Sequence, residues 1–208
     1  MATNIVFDFG AVLFTWQPHL LVHTLFPEEA PTPAAASELA AAIFHHEDWL
    51  SFDGGAIEPS SVTQRITHRL GLRGSGLQEL MARIPEHLSP MPETVALLER
   101  LVQRRARDGD IRLYFLSNMP ALFARELERR HAFLAWFDGG VFSGDVKLVK
   151  PQPEIFQLLQ KRYALDPAHT VFIDDLAANA QAARDHGWRG IHFESAARLE
   201  ADLKSFGI

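Results

Sequence analysis

Asn4-Ile5-Val6-Phe7-Asp8-Phe9 is the stretch on which the fold turns. A short run of β-branched and aromatic residues, without polar alternation, is the pattern of a strand buried on both faces of a parallel sheet. Ile111 to Leu116 and Thr170 to Ile173 repeat it, and Gly140 to Phe142 and Gly190 to Phe193 are shorter candidates. Helical stripes lie between them. Thr94 to Arg105 carries apolar residues at 95, 97, 98, 101 and 102, one face of a 3.6-residue period. Pro120 to Arg130, Pro153 to Tyr163 and Ala196 to Lys204 behave alike, and Ala177 to His186 ends before Gly187, a suitable C-terminal stop. From Pro92 onward helix and strand alternate, which predicts a parallel sheet with helices on both faces.

Residues 17–90 break the alternation. Pro18 to Leu25, Thr32 to His46, Pro59 to Leu70 and Ser75 to His87 all suit helices, punctuated by Pro31, Pro33, Gly54-Gly55, Gly71 and Gly74-Ser75-Gly76. A helical insert over 17–90, between a core formed by 1–16 and 91–208, is therefore expected.

The chain has 208 residues, 47% of them hydrophobic and 22% charged, enough for one α/β domain with an inserted subdomain and a sizeable core. The net charge is −6, and apart from Arg104, Arg105 and Arg107 the basic residues are scattered. No polybasic face offers itself to nucleic acid or to a membrane. With no cysteine, disulfides, thiolate–zinc sites and thiol nucleophiles are excluded. Neither a signal peptide nor an apolar run near the ~20 residues of a membrane span is visible. The expectation is a cytoplasmic protein, monomeric or homodimeric, acting on a small molecule.

Ligands of open parallel sheets bind outside the carboxyl ends of the strands. The first strand ends at Asp8, the second at Ser117-Asn118 and the Thr170 strand at Asp174-Asp175, and Lys150 precedes Pro151 in the loop after the short Gly140 strand. This set suits phosphoryl transfer. A carboxylate can attack phosphorus, Mg²⁺ held by hard oxygen ligands can neutralise the meeting of two anions, and a lysine and a hydroxyl can stabilise the phosphoryl oxygens. Taken singly, each residue has a plainer reading: a strand-end Asp caps a turn or helix, Ser-Asn makes turns, and a lone lysine is solvated.

Four motifs in one order outweigh those readings. Phe7-Asp8-Phe9-Gly10-Ala11-Val12-Leu13, Leu116-Ser117-Asn118, Lys150-Pro151-Gln152-Pro153-Glu154-Ile155-Phe156 and Phe172-Ile173-Asp174-Asp175, with Asn179, Ala183 and Gly187 following, resemble the motifs of the haloacid dehalogenase (HAD) superfamily over almost the whole chain. The resemblance implies an α/β, three-layer Rossmannoid HAD core with a parallel sheet and an inserted α-helical cap of the subfamily I kind. It also implies a Mg²⁺-dependent phosphatase acting through an aspartyl-phosphate intermediate. Asp8 would be nucleophile and metal ligand, and Gly10 would offer its carbonyl to the metal. Asp175 would be a direct metal ligand, with Asp174 beside it or behind it. Ser117 and Asn118 would bind phosphate. Lys150, rather than Lys147, would neutralise Asp8 and phosphate, because it precedes the proline as the family lysine does.

One departure stands out. Phosphatases of the family carry a second aspartate two residues after the nucleophile, as general acid and base; here that residue is Gly10. General acid catalysis is worth roughly 10²–10⁴-fold. The Asp-x-Gly-x-Val pattern resembles a bacterial subgroup that includes an α-glucose-1-phosphate phosphatase, so a sugar phosphate, with its better anomeric leaving group, is the expected substrate. Two alternatives are a 2-haloacid dehalogenase, in which Asp8 would attack carbon without a metal, and a phosphometabolite-binding protein without turnover. In the insert and at its edge, Trp16, His45, His46, Trp49 and Asp53 are candidates to face the substrate, with Trp16, His46 and Trp49 preferred. His45-His46-Glu47-Asp48 has the composition of a metal cluster, but neighbours on a helix diverge by about 100°, and a solvated helix face or packing within the insert is the better reading.

Overall fold

The computed structural model describes residues 2–208. Its strands are β1 (Thr3–Phe7), β2 (Ile111–Ser117), β3 (Gly139–Phe142), β4 (Thr170–Asp174) and β5 (Arg189–His192). The helices in chain order are α1 (Pro18–Leu25), α2 (Pro33–Phe44), α3 (Glu47–Asp53), α4 (Pro59–Leu70), α5 (Gly74–His87) and α6 (Pro92–Asp108). They continue with α7 (Ala121–Arg130), the short α8 (Ser143–Val146), α9 (Pro153–Tyr163), α10 (Ala177–Asp185) and α11 (Ala196–Ser205). Proline occupies the first turn of α1, α2, α4, α6 and α9, where its fixed φ suits the helix and its missing N–H costs nothing.

The sheet runs β3-β2-β1-β4-β5, with every neighbouring pair parallel. Successive residues of each strand point to opposite faces, so the apolar runs feed two cores. Ile5, Phe7, Leu113 and Ile173 share one with Leu97, Leu98 and Leu101 of α6, Leu127 of α7 and Leu199 and Leu203 of α11. Val6, Leu116 and Phe172 share the other with Ile155, Phe156 and Leu159 of α9 and Ala183 of α10. The α/β three-layer expectation is met.

Helices α1 to α5 all lie between β1 and α6, and Phe26, which follows α1, Ile43 of α2 and Leu80 of α5 join the same core as Ile5 and Phe7. The chain enters and leaves this insert side by side. The Thr15 N–H donates to the Ser89 carbonyl at 2.8 Å, the Met91 N–H donates to the Leu13 carbonyl at 2.8 Å, and Phe14 and Pro90 form an antiparallel bridge. Among the described residues no helix is long and apolar enough to cross a membrane.

One helical expectation needs correction. The helix expected over Thr32 to His46 ends at Phe44, and a separate helix, α3, begins at Glu47. His46 is extended (φ −86°, ψ 154°), and its ring Nδ1 accepts from the Asp48 N–H at 3.2 Å, capping α3. Glu47 and Asp48 in the first turn favour a helix start there. The Asp48 carboxylate is buried against Arg65 at 3.5 Å and Arg69 at 3.3 Å. The His-His-Glu-Asp stretch thus serves packing and capping.

Candidate active site

β1 is the central strand, and both strand neighbours set the level of its end. Phe7 lies opposite Phe115 on one side and Ile173 on the other, and the Asp8 N–H donates to the Ile173 carbonyl at 2.9 Å. The ends of β1, β2 and β4 therefore meet, at the point where strand order reverses direction. Phe9 then anchors the turn. Its carbonyl accepts from the N–H groups of Leu13 and Phe14 at 2.9 and 2.8 Å. Its ring packs among Phe14, Phe115 and Phe142 at centroid distances of 5.5, 4.9 and 5.3 Å. With Phe9 pinned inward, Asp8 and Gly10 face the cavity above the sheet edge.

Lys150 is buried, and its Nζ lies 2.9 Å from Asp8 Oδ1 and 2.6 Å from Asp174 Oδ2. Burial would lower the pKa of this amine, but the charges of Asp174 and Asp8 outweigh it and raise it. The lysine is therefore a fixed cation. Burial pushes the Asp8 carboxyl up to about 7 against the opposing Lys150 ammonium, with Asp174 and Asp175 adding to the rise. Burial, then the Asp174 charge, lifts Asp175 to about 6. A pocket that makes its own carboxylates this reluctant to ionise favours a cation among them.

Oxygens of Asp8, Asp174 and Asp175 lie within 4.8 Å of one another. Asp174, however, is fully buried with both oxygens engaged. It accepts from Lys150, from the Leu176 N–H at 2.9 Å, and from the Asn179 amide at 3.0 and 3.1 Å. Asp8, Gly10 and Asp175 line the cavity; Asp174 stands behind them. Asn179 thus has a definite task, fixing the partner of Lys150.

Asn118 has a partner in the Lys150 backbone. Its side-chain N–H donates to the Lys150 carbonyl at 2.9 Å, and its Oδ1 accepts from the Lys150 N–H at 2.8 Å. Both ends of the amide grip the lysine backbone, so the side chain positions Lys150, and Asn118 also lines the cavity. Ser117 is nearly buried and lines the cavity. Lys147 is an exposed residue at the end of α8.

The cavity measures about 400 Å³, within the range of small-molecule sites. Its floor is the carboxylate and lysine cluster. Its walls are apolar: Trp16, Phe44, Trp49, Leu88, Met119 and Phe123 all contribute. Edge-to-face contacts run from Trp16 through Phe44 and Trp49 to Phe52 and Phe123, at centroid distances of 5.2, 4.5, 5.4 and 5.8 Å. Trp16 and Trp49 line the cavity as expected. His46, engaged in its cap, does not, and its exposed neighbour His45 does. Asp53 also lines it. Phe44, Met119 and Phe123 carry no sequence signal for a site, since an apolar position in a helix or turn reads as core.

A sequence model of the haloacid dehalogenase-like hydrolases matches residues 4–187. The chain belongs to this hydrolase family. It is 28% identical over 187 residues to a sesquiterpene phosphatase of Aspergillus oryzae, covering 90% of this chain and 87% of that one. It is 26% identical over 167 residues to a flavin mononucleotide hydrolase of Arabidopsis thaliana, covering 79% of this chain and 64% of that protein. A drimenol cyclase of Aspergillus calidoustus shares 23% identity over 203 residues, 98% of this chain and 36% of the cyclase. The chain thus spans less than two thirds of the length of these last two. A HAD family enzyme of Bacteroides thetaiotaomicron, in complex with magnesium and inorganic phosphate, shares the fold with a TM-score of 0.71 at 19% identity, over 96% of this chain and 99% of that one. An L-2-haloacid dehalogenase of Xanthobacter autotrophicus does so with a TM-score of 0.67 at 19% identity, over 99% and 83%.

Proposed function

We propose that this HAD hydrolase is a Mg²⁺-dependent phosphomonoesterase in which Asp8 attacks phosphorus and the leaving group is largely apolar. The observation that carries this reading is the joining of two halves in one cavity. An Asp8–Lys150 pair at 2.9 Å stands beside Asp175, under walls of aromatic and aliphatic side chains. The donor set suits a hard divalent cation: carboxylate oxygens within 4.8 Å, no sulfur and no imidazole in the cluster. Asp8, Asp175 and the Gly10 carbonyl would hold Mg²⁺, with Asp174 retained by Lys150 and Asn179. When bound, Mg²⁺ neutralises charge between the carboxylate and the phosphate.

The residues of the chain do the rest. Lys150 draws off phosphoryl charge and holds Asp8 in line. Ser117 offers a hydroxyl to a phosphoryl oxygen. Asp8 forms an aspartyl phosphate as the alcohol departs, and water then releases inorganic phosphate. The insert over 17–90 acts as a cap on the core of 1–16 and 91–208, excluding bulk water and shaping the alcohol site. Few polar side chains line that upper part, so a hexose would leave its hydroxyls unpaired, at a cost for each buried group. An apolar alcohol phosphate fits better than the sugar phosphate suggested by the Asp-x-Gly-x-Val pattern. The sesquiterpene phosphatase among the relatives supports this choice.

The test is phosphate release from isoprenoid, aryl, flavin and sugar monophosphates, with Mg²⁺ or EDTA, in wild type and Asp8→Asn. Metal-dependent release, strongest on the apolar esters and absent in D8N, is expected. Preference for sugar phosphates would overturn the substrate class. Release of halide from 2-haloacids in EDTA, with phosphate esters untouched, would overturn the phosphatase.

A further inference from the structure

The residue missing at Gly10 leaves the departing alkoxide without a donor beside the nucleophile, and the insert supplies a carboxyl at the same cavity. Asp53 is the last residue of α3. It keeps partial exposure and lines the cavity with Asp8, Gly10 and Lys150. The core fixes it from below. The Met119 N–H donates to Ser143 Oγ at 2.8 Å, and that hydroxyl donates to the Asp53 carbonyl at 2.5 Å. The next two residues seal the contact. A Cβ on Gly54 would lie 3.1 Å from Val149, the residue before Lys150, and one on Gly55 would lie 2.5 Å from the Gly144 carbonyl. The backbone of Asp53 is thus tied to the segments that follow β2 and precede Lys150.

We propose that Asp53 is the proton donor to the leaving alcohol and the proton acceptor in the hydrolytic step, a catalytic residue contributed by the insert. This rests on the phosphomonoesterase reading above. As Asp8 bonds to phosphorus, the ester P–O bond breaks and its electron pair stays on the alkoxide oxygen. That oxygen takes the carboxyl proton, leaving an alcohol and an Asp53 carboxylate. In the second step the carboxylate takes a proton from the attacking water, which restores the acid. Burial pushes the Asp53 carboxyl well above its usual range, against a hydrogen bond from Trp49 and the Lys150 charge, so it holds the proton that this role requires. The other titratable groups lining the cavity are Asp8, Lys150 and Asp175 from the core and His45 from the insert. His45 is exposed, whereas Asp53 is half-buried and lines the same cavity as Lys150.

The experiment compares Asp53→Asn with wild type across esters of rising leaving-group pKa, from p-nitrophenyl through phenyl to primary alkyl phosphate, with Mg²⁺. Loss of a general acid is expected to cost roughly 10²–10⁴-fold on the alkyl ester and little on p-nitrophenyl phosphate, which needs no donor. Asp53→Glu should recover part of the alkyl activity. The ratio between esters does not depend on the fraction of folded enzyme, and if D53N fails to fold, Asp53→Ser asks the same question. Equal losses on all esters, or no loss on any, would overturn the assignment while leaving the phosphatase standing. A wild type inert on every ester would overturn both.

Discussion

A Cβ built on Gly10 would meet only the Trp16 Cβ, at 4.0 Å, and Gly10 is not among the glycines of positive φ. Neither packing nor backbone conformation demands glycine there. Gly10→Asp should therefore fold, and its carboxyl would emerge into the cavity. In a D53N background it is expected to restore at least about tenfold of the alkyl phosphate turnover, out of the roughly 10²–10⁴-fold a general acid provides. Steady-state kcat/KM on the alkyl ester checks this, and no recovery would mean that the position cannot reach the leaving oxygen. Asp8, Ser117, Lys150 and Asp175 were legible in the sequence as one group, because strand ends in a parallel sheet converge whatever lies between them. Asn118 and His46 were not. The amide of Asn118 is held by the backbone of a distant loop, and His46 is turned aside by a helix start of its own. Both depend on hydrogen bonds that residue type does not announce.

Among the elements, the strands were the most legible. An unbroken apolar run such as Ile5 to Phe7 has few uses other than a strand covered on both faces. The insert was legible as helices but not as a surface, since Phe44 and Trp49 are apolar helical positions whether they meet a core or a cavity. Helix α3 was hidden by its shortness, and Gly54-Gly55 after it carried only a turn signal. The structure gives Gly55 a firmer reason. Its φ is +63°, and a Cβ would stand 2.5 Å from the Gly144 carbonyl. For Gly55→Ala the left-handed conformation alone costs about 1–2 kcal/mol, and the displaced carbonyl adds to it. At about 2–4 °C per kcal/mol for a chain of this size, thermal melting should show a Tm lowered by at least about 2–8 °C. An unchanged Tm would show that α3 is not seated on α8 as described.

For the whole molecule, the carboxyl cluster makes stability depend on pH and metal together. Asp8 and Asp175 ionise near 3.8 when unfolded and at about 7 and about 6 when folded. Between about pH 4 and 7 the metal-free folded state keeps protons that the unfolded chain releases, so these two groups make stability fall as pH rises through that window. His131 and His186, pushed down by burial, act in the opposite sense near pH 6, so the useful comparison is with Asp8→Asn. In EDTA, the Tm of wild type relative to D8N is expected to drop between pH 5 and pH 7.5. Mg²⁺ should raise the wild-type Tm more at pH 7.5 than at pH 5, since a ligand of the folded state alone adds stability. Parallel pH profiles for the two proteins, or no Mg²⁺ effect at pH 7.5, would contradict the metal site.

The bridge between Phe14 and Pro90 has a consequence for descent. Everything from Thr15 to Ser89 hangs from two chain ends already hydrogen-bonded to each other, so changes of length within that stretch leave the strand order of the sheet as it is, provided the residues that meet the core keep their packing. Asp8 and Lys150 stay with the scaffold. The apolar pocket is shared between the two: Trp16, Phe44, Trp49 and Leu88 belong to the suspended part and Met119 and Phe123 to the scaffold, so a change of specificity requires the two surfaces to stay matched.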